Sequence, residues 1–101
     1  MVELYELLKT LNLPLSYHHF SKPQEPPFMV YLSAGTENFE ADNKVYQKQT
    51  FFHVELYSSV KDLVTEKRIE DLFDENEIFY DKNEVYINAE SLYQVVYEIT
   101  I

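Results

Sequence analysis

Cysteine is absent from all 101 residues, which removes disulfides, thiolate metal sites and a cysteine nucleophile at once. Glycine occurs once, at Gly35. A glycine-rich phosphate loop therefore cannot form, and Ser33, Ser58, Ser59 and Ser91 lack the glycines of a nucleophile elbow. No apolar run reaches the roughly 18 residues that span a bilayer, and Met1-Val2-Glu3 has no basic start of a signal peptide, so the cytoplasm is the expected compartment. Positive charge is scarce as well: 8 Lys and Arg stand against 18 Asp and Glu, for a net charge of −10. Such a chain repels phosphate backbones and anionic lipid surfaces, so neither direct nucleic-acid binding nor a membrane partner is expected.

Apolar and aromatic residues are abundant. At 46% hydrophobic and 16% aromatic, the composition is that of a packed chain rather than a disordered one, and the length fits one domain over residues 1–101. For this mass the folded surface should be about 6,000 Å², with roughly two-thirds of the extended chain's surface buried on folding.

Leu4, Leu7, Leu8 and Leu11 recur at helical spacing and predict a helix over 2–12, ended by Asn12 and Pro14. A short strand over 15–20 precedes a loop holding Pro23, Pro26 and Pro27. Phe28, Val30 and Leu32 alternate with Met29 and Tyr31, predicting a central strand over 28–33. The Gly, Asn and Asp of 34–44 read as a turn or longer loop. A long strand over 45–57 puts Phe52, Val54 and Leu56 on one face and Phe51, His53, Glu55 and Tyr57 on the other, and it should pair with 28–33 as a hairpin.

Asp62 is a plausible N-cap for a second helix running to about Glu75, with a buried stripe of Thr65, Ile69, Leu72 and Phe73; Leu63 and Val64 would pack at the strand-to-helix corner. Strands over 78–80, 85–87 and 92–101 follow, with a turn at Asp81-Lys82-Asn83 between the first two. The expected fold is α+β: an antiparallel or mixed sheet of four to six strands with two helices packed on one face.

Little here carries chemistry. His18 and His19, adjacent on a predicted strand, would point to opposite faces and could not grip one metal ion; zinc would need one of them with His53 and two carboxylates. The carboxylates Glu70, Asp71, Asp74, Glu75 and Glu77 read as a solvated helix end or a surface matched by a basic partner. The Asp81-Lys82-Asn83 turn lacks the glycine and the bidentate glutamate of a calcium loop. No catalytic residue, no metal ligand and no cofactor site is expected. Most of the nine Tyr and seven Phe should fill the core. Since both faces of 46–57 carry aromatics and only one can lie under the helices, Tyr46, Phe51 and Tyr57 are candidate protein-interface residues, and Phe39 is a fourth.

Three stretches carry a family resemblance: Asp-Asn-Lys-Val-Tyr-Gln-Lys at 42–48, His-Val-Glu-Leu-Tyr at 53–57, and Lys-Asp-Leu-Val-Thr-Glu-Lys-Arg-Ile-Glu-Asp-Leu-Phe at 61–73. With Ile-Phe-Tyr at 78–80 and Tyr-Gln-Val-Val-Tyr-Glu at 93–98, the chain resembles small tail completion, tail terminator or head-tail joining proteins of long-tailed phages and prophages of Gram-positive bacteria. The resemblance implies a structural virion subunit without enzyme activity. Such a subunit would associate with itself in a ring, bind other tail or neck proteins, and reside in the host cytoplasm during assembly and then in the virion tail. The alternative is a small acidic regulatory or inhibitory protein-binding module. A metal-dependent enzyme using His18, His19 or His53 is a third reading.

Overall fold

The computed structural model describes residues 4–41 and 44–101, with the side chains of 36–49 left out of the description. Two helices and five strands follow in the order α1 (Leu4–Lys9), β1 (Leu15–Tyr17), β2 (Phe28–Ala41), β3 (Lys44–Ser58), α2 (Leu63–Glu75), β4 (Tyr80–Ile87) and β5 (Leu92–Thr100). The strands form one mixed sheet in the order β1-β2-β3-β5-β4, in which only β1 and β2 run parallel. The architecture is α+β, as the alternation of periods in the sequence predicts.

Helix α1 is shorter than the 2–12 expected from its leucines, and its first residues lie outside the described ones. Its stripe behaves as predicted: Leu4, Leu7, Leu8 and Leu11 are buried, and Asn12 leaves the helix with φ of 58°. Asp62 caps α2, its carboxylate accepting from the Thr65 backbone N–H at 3.1 Å and from the Thr65 hydroxyl at 2.7 Å. At the other end Glu77 takes φ of 56°, so that its N–H reaches Asp74 O and the Ile78 N–H reaches Phe73 O. This is a Schellman-type stop with glutamate where glycine is usual.

Both helices lie on one face of the sheet. Leu4, Leu8 and Leu11 of α1 and Ile69 and Phe73 of α2 form one cluster with Met29, Val54, Leu56, Val95, Tyr97 and Ile99. The register explains the cluster. Met29, Leu56 and Val95 are neighbours across three strands, as are Tyr31, Val54 and Tyr97, so the period-2 pattern lines one face with bulk. Leu63 and Val64 do not pack at the corner as expected: they are 66% and 74% exposed, because Thr65, Ile69 and Phe73 set the buried stripe one position further round.

Two corrections concern the strands. Residues 34–41 are not a loop but a continuation of β2, paired with β3 as far as Ala41 opposite Lys44. A bulge between Ser33 and Gly35, with Gly35 at φ of 133°, lets the strand turn its twist there and run on. Likewise Asp81-Lys82-Asn83 is no turn; it lies inside β4, which is continuous and joined to β5 through residues 88–91. Both stretches read as loops because Gly, Asn, Asp, Glu, Thr and Lys dominate them, and their sequence lacks the apolar alternation that marks a strand.

The long hairpin gives the molecule its shape. Strand β5 pairs with β3 only from Thr50 to Ser58, and β1 pairs with β2 only at 29–31. Beyond that point 36–41 and 44–49 form a ribbon of two strands, about 20 Å long at strand rise. The radius of gyration is 15.0 Å, against about 13 Å for a compact chain of this length, and the extents are 51 × 28 × 23 Å. The surface of 6871 Å² likewise exceeds the roughly 6,000 Å² expected for the mass.

Candidate interaction surface

Residues that alternate with the core positions face away from the helices. On this open face β2 contributes Phe28, Val30 and Leu32, β3 contributes Phe51, His53, Glu55 and Tyr57, and β5 contributes Gln94 and Val96. Phe51 and Tyr57, two of the interface candidates, are half-buried here. The side chains of the other two, Phe39 and Tyr46, lie outside the described residues; their backbone belongs to the ribbon.

Tyr57 is held in place from several sides. Its ring stacks on Phe28 with centroids 5.0 Å apart and planes 16° from parallel, and Phe20 meets Phe28 edge-on at 5.3 Å. Its hydroxyl donates to Glu55 Oε1 at 2.8 Å and accepts from Gln94 Nε2 at 2.8 Å. Burial, and then the hydrogen bond to the Glu55 carboxylate, push the Tyr57 hydroxyl well above its ordinary range. At neutral pH it is a fixed neutral donor. Beside it lies a half-open cleft of about 390 Å³ walled by Phe20, Phe28, Tyr57, Ile87 and Leu92.

His18 and His19 sit at the rim of this cleft, and their placement differs from the sequence reading. Strand β1 ends at Tyr17, His18 takes φ of 67°, and the two rings meet at 5.3 Å with Nδ1 atoms 3.2 Å apart. They therefore share a side rather than opposing each other. His53 is elsewhere, 3.5 Å from the Glu98 carboxylate. Among the described residues no group of three or more His, Asp or Glu is arranged to hold a metal ion.

A second constellation joins α2 to β4 and was not legible in the sequence. Glu66 is only 2% exposed, and among the described residues two ammonium groups alone meet its oxygens: Lys61 Nζ at 2.6 Å and Lys82 Nζ at 2.7 Å. Lys82 also reaches Glu70 Oε2 at 2.7 Å, Tyr97 donates to the same oxygen at 2.8 Å, and Lys61 contacts Glu84. Desolvation alone would raise the Glu70 carboxyl, but hydrogen bonds from Lys82 and Tyr97 outweigh it and hold the group below its ordinary value. The Lys61 ammonium is raised by its hydrogen bonds to Glu66 and Glu84. Burial opposes the same rise at Lys82, where Glu66 and Glu70 prevail. Glu70 is thus tied inward, not part of a solvated acidic end. The Lys61 and Lys82 stems span the half-buried gap between helix and sheet, and their charges fasten one to the other.

The edges of the sheet are unequal. β1 is three residues long and is followed by the proline-containing loop, whereas β4 presents eight residues whose outer side is bonded to no strand among the described residues. Phe79, next to β4, is 91% exposed. No helix among the described residues is long and apolar enough to cross a membrane. No family model matches the chain, and no curated protein matches its sequence.

Proposed function

We propose that this chain is a non-enzymatic structural subunit of a phage tail, a tail completion, terminator or head-tail joining protein that associates with itself in a ring and binds the tail tube. The observation that carries the reading is the hairpin arm: a two-stranded ribbon reaching about 20 Å past the rest of the sheet pairs with no third strand among the described residues, and such ribbons are marginal in water until something packs or pairs with them. The open face adds a half-buried aromatic surface at Phe28, Phe51 and Tyr57. The resemblance of 42–73 to tail-end proteins spans both the arm and the helix that anchors the body. A ring needs contacts between two different surfaces of each subunit, and an arm and a sheet edge are such a pair.

Light scattering of the pure protein, with and without a phage tail-tube protein, tests this. Discrete oligomers or tube-end binding are expected, and a persistent monomer that ignores tubes would refute it. A second reading, an acidic regulatory or inhibitory module, draws on the net charge of −10 and on the engagement of Lys61, Lys67 and Lys82 by carboxylates and of Arg68 by the Leu11 carbonyl. It predicts a stoichiometric complex with a basic protein and no tube binding.

A further inference from the structure

We infer that the outer edge of β3 in the arm, residues 44–49, pairs with the outer edge of β4 of a second copy, so that one sheet continues from subunit to subunit. The inference rests on the proposed self-association and specifies its contact. Among the described residues both edges carry free ladders: the β3–β5 ladder runs as far as the Thr50 and Ile101 pair, with no strand beside 44–49, and β4 has β5 as its one neighbour. The lengths match, with six residues of arm against eight of β4.

Charge selects this pairing over the others. Residues 44–49, Lys-Val-Tyr-Gln-Lys-Gln, hold two lysines and no acid, whereas 36–41, Thr-Glu-Asn-Phe-Glu-Ala, hold two glutamates and no base. β4 carries Asp81 and Glu84, and its one lysine, Lys82, is turned inward onto Glu66 and Glu70. Beneath β4, Glu66 and Glu70 meet Lys61 and Lys82, and Glu84 of β4 shares Lys61 with Glu66, so these three carboxylates are set against two lysines. Asp81 has no cation of its own strand beside it but Lys82, already engaged. The basic strand of the arm therefore meets an acidic edge, while the acidic strand would be repelled by it.

β4 also lacks the usual guards. It has no proline and no bulge, and its lysine does not stand at the edge to deter pairing. Main-chain hydrogen bonds then supply the attraction and the charges set which strand enters. Since arm and edge are different parts of the molecule, the contact is heterologous and propagates until it closes.

Complementation between two variants tests it. One has residues 38–48 replaced by Asn-Gly, which closes the hairpin at the Glu37 and Gln49 pair and removes the arm while keeping β4. The other, Val85→Pro, blocks β4 and keeps the arm. Each alone should lose at least tenfold in self-association by sedimentation, and their mixture should give a one-to-one complex that grows no further. If Val85→Pro unfolds, Lys44→Glu/Lys48→Glu and Asp81→Lys serve as a second pair, weak apart and restored on mixing. Wild-type assembly by either armless or edge-blocked protein, or two folded variants that ignore each other, overturns the inference while leaving self-association intact. A wild-type chain that never assembles, even on tail tubes, overturns the parent reading too.

Discussion

The two halves of the β2–β3 hairpin are built from one continuous pair of strands, yet they obey different physics. In the body half, Met29, Val54 and Leu56 are fully buried and the pair is flanked by β1 and β5 beneath two helices. In the arm half, 36–41 and 44–49 pair only with each other among the described residues. Stability therefore resides in the first half, and the opportunity for contact resides in the second. Changes in one should leave the other's role untouched, which gives a series of ways to test the division.

The largest effect belongs to the body. Phe73 is fully buried against Tyr80 and Tyr97, with ring centroids 5.7 Å away in each case. Phe73→Ala should cost about 4 kcal/mol in a denaturant titration. Next comes the ion cluster, where Lys82→Met leaves Glu66 with one cation in place of two and should cost about 3 kcal/mol.

The same cluster sets the pH response. Because folding lowers the Glu70 carboxyl from its ordinary 4.5, its contribution is complete above that value and is lost as pH falls through the lower folded one. Lys61 and Lys82 are raised from 10.5, so their contribution is complete below 10.5 and fades as pH climbs through their folded values. A melting temperature that is flat near neutrality and falls at both ends is expected, with the acid limb shallower in Glu70→Gln.

Smaller still is Glu77→Gly, which relieves a left-handed residue at the end of α2 and should stabilise by about 0.5 kcal/mol. Arm removal should change stability least of all, by no more than about 0.5 kcal/mol, since 36–41 and 44–49 pair with no third strand among the described residues. A loss of several kcal/mol on shortening the arm would break the division between the halves.

What the sequence reveals follows the same division. Where a face is buried, the pattern is readable: the leucine stripe of α1, the Asp62 cap, the alternation of β5 and the opposed faces of 51–57 all follow from which side chains must leave water. Where burial does not discipline the pattern, it misleads. Residues 34–41 and 81–83 read as loops because Gly, Asn, Asp, Glu and Thr there interrupt the apolar alternation that marks a strand. Glu66 was invisible for another reason. One glutamate among many gives no local sign that two lysines, five residues before it and sixteen after it, will converge on it in three dimensions. The Phe51 and Tyr57 placement was legible because both faces of one strand carry aromatics and helices cover only one.

Hydrogen exchange of the backbone amides, compared between dilute protein and protein assembled on tail tubes, tests the central claim most directly. Amides of 44–49 and of 80–87 are expected to slow together on assembly, while those of 52–58 and 93–99 are protected throughout. Assembly that leaves both the arm and the β4 edge exchanging as in the dilute protein would contradict it.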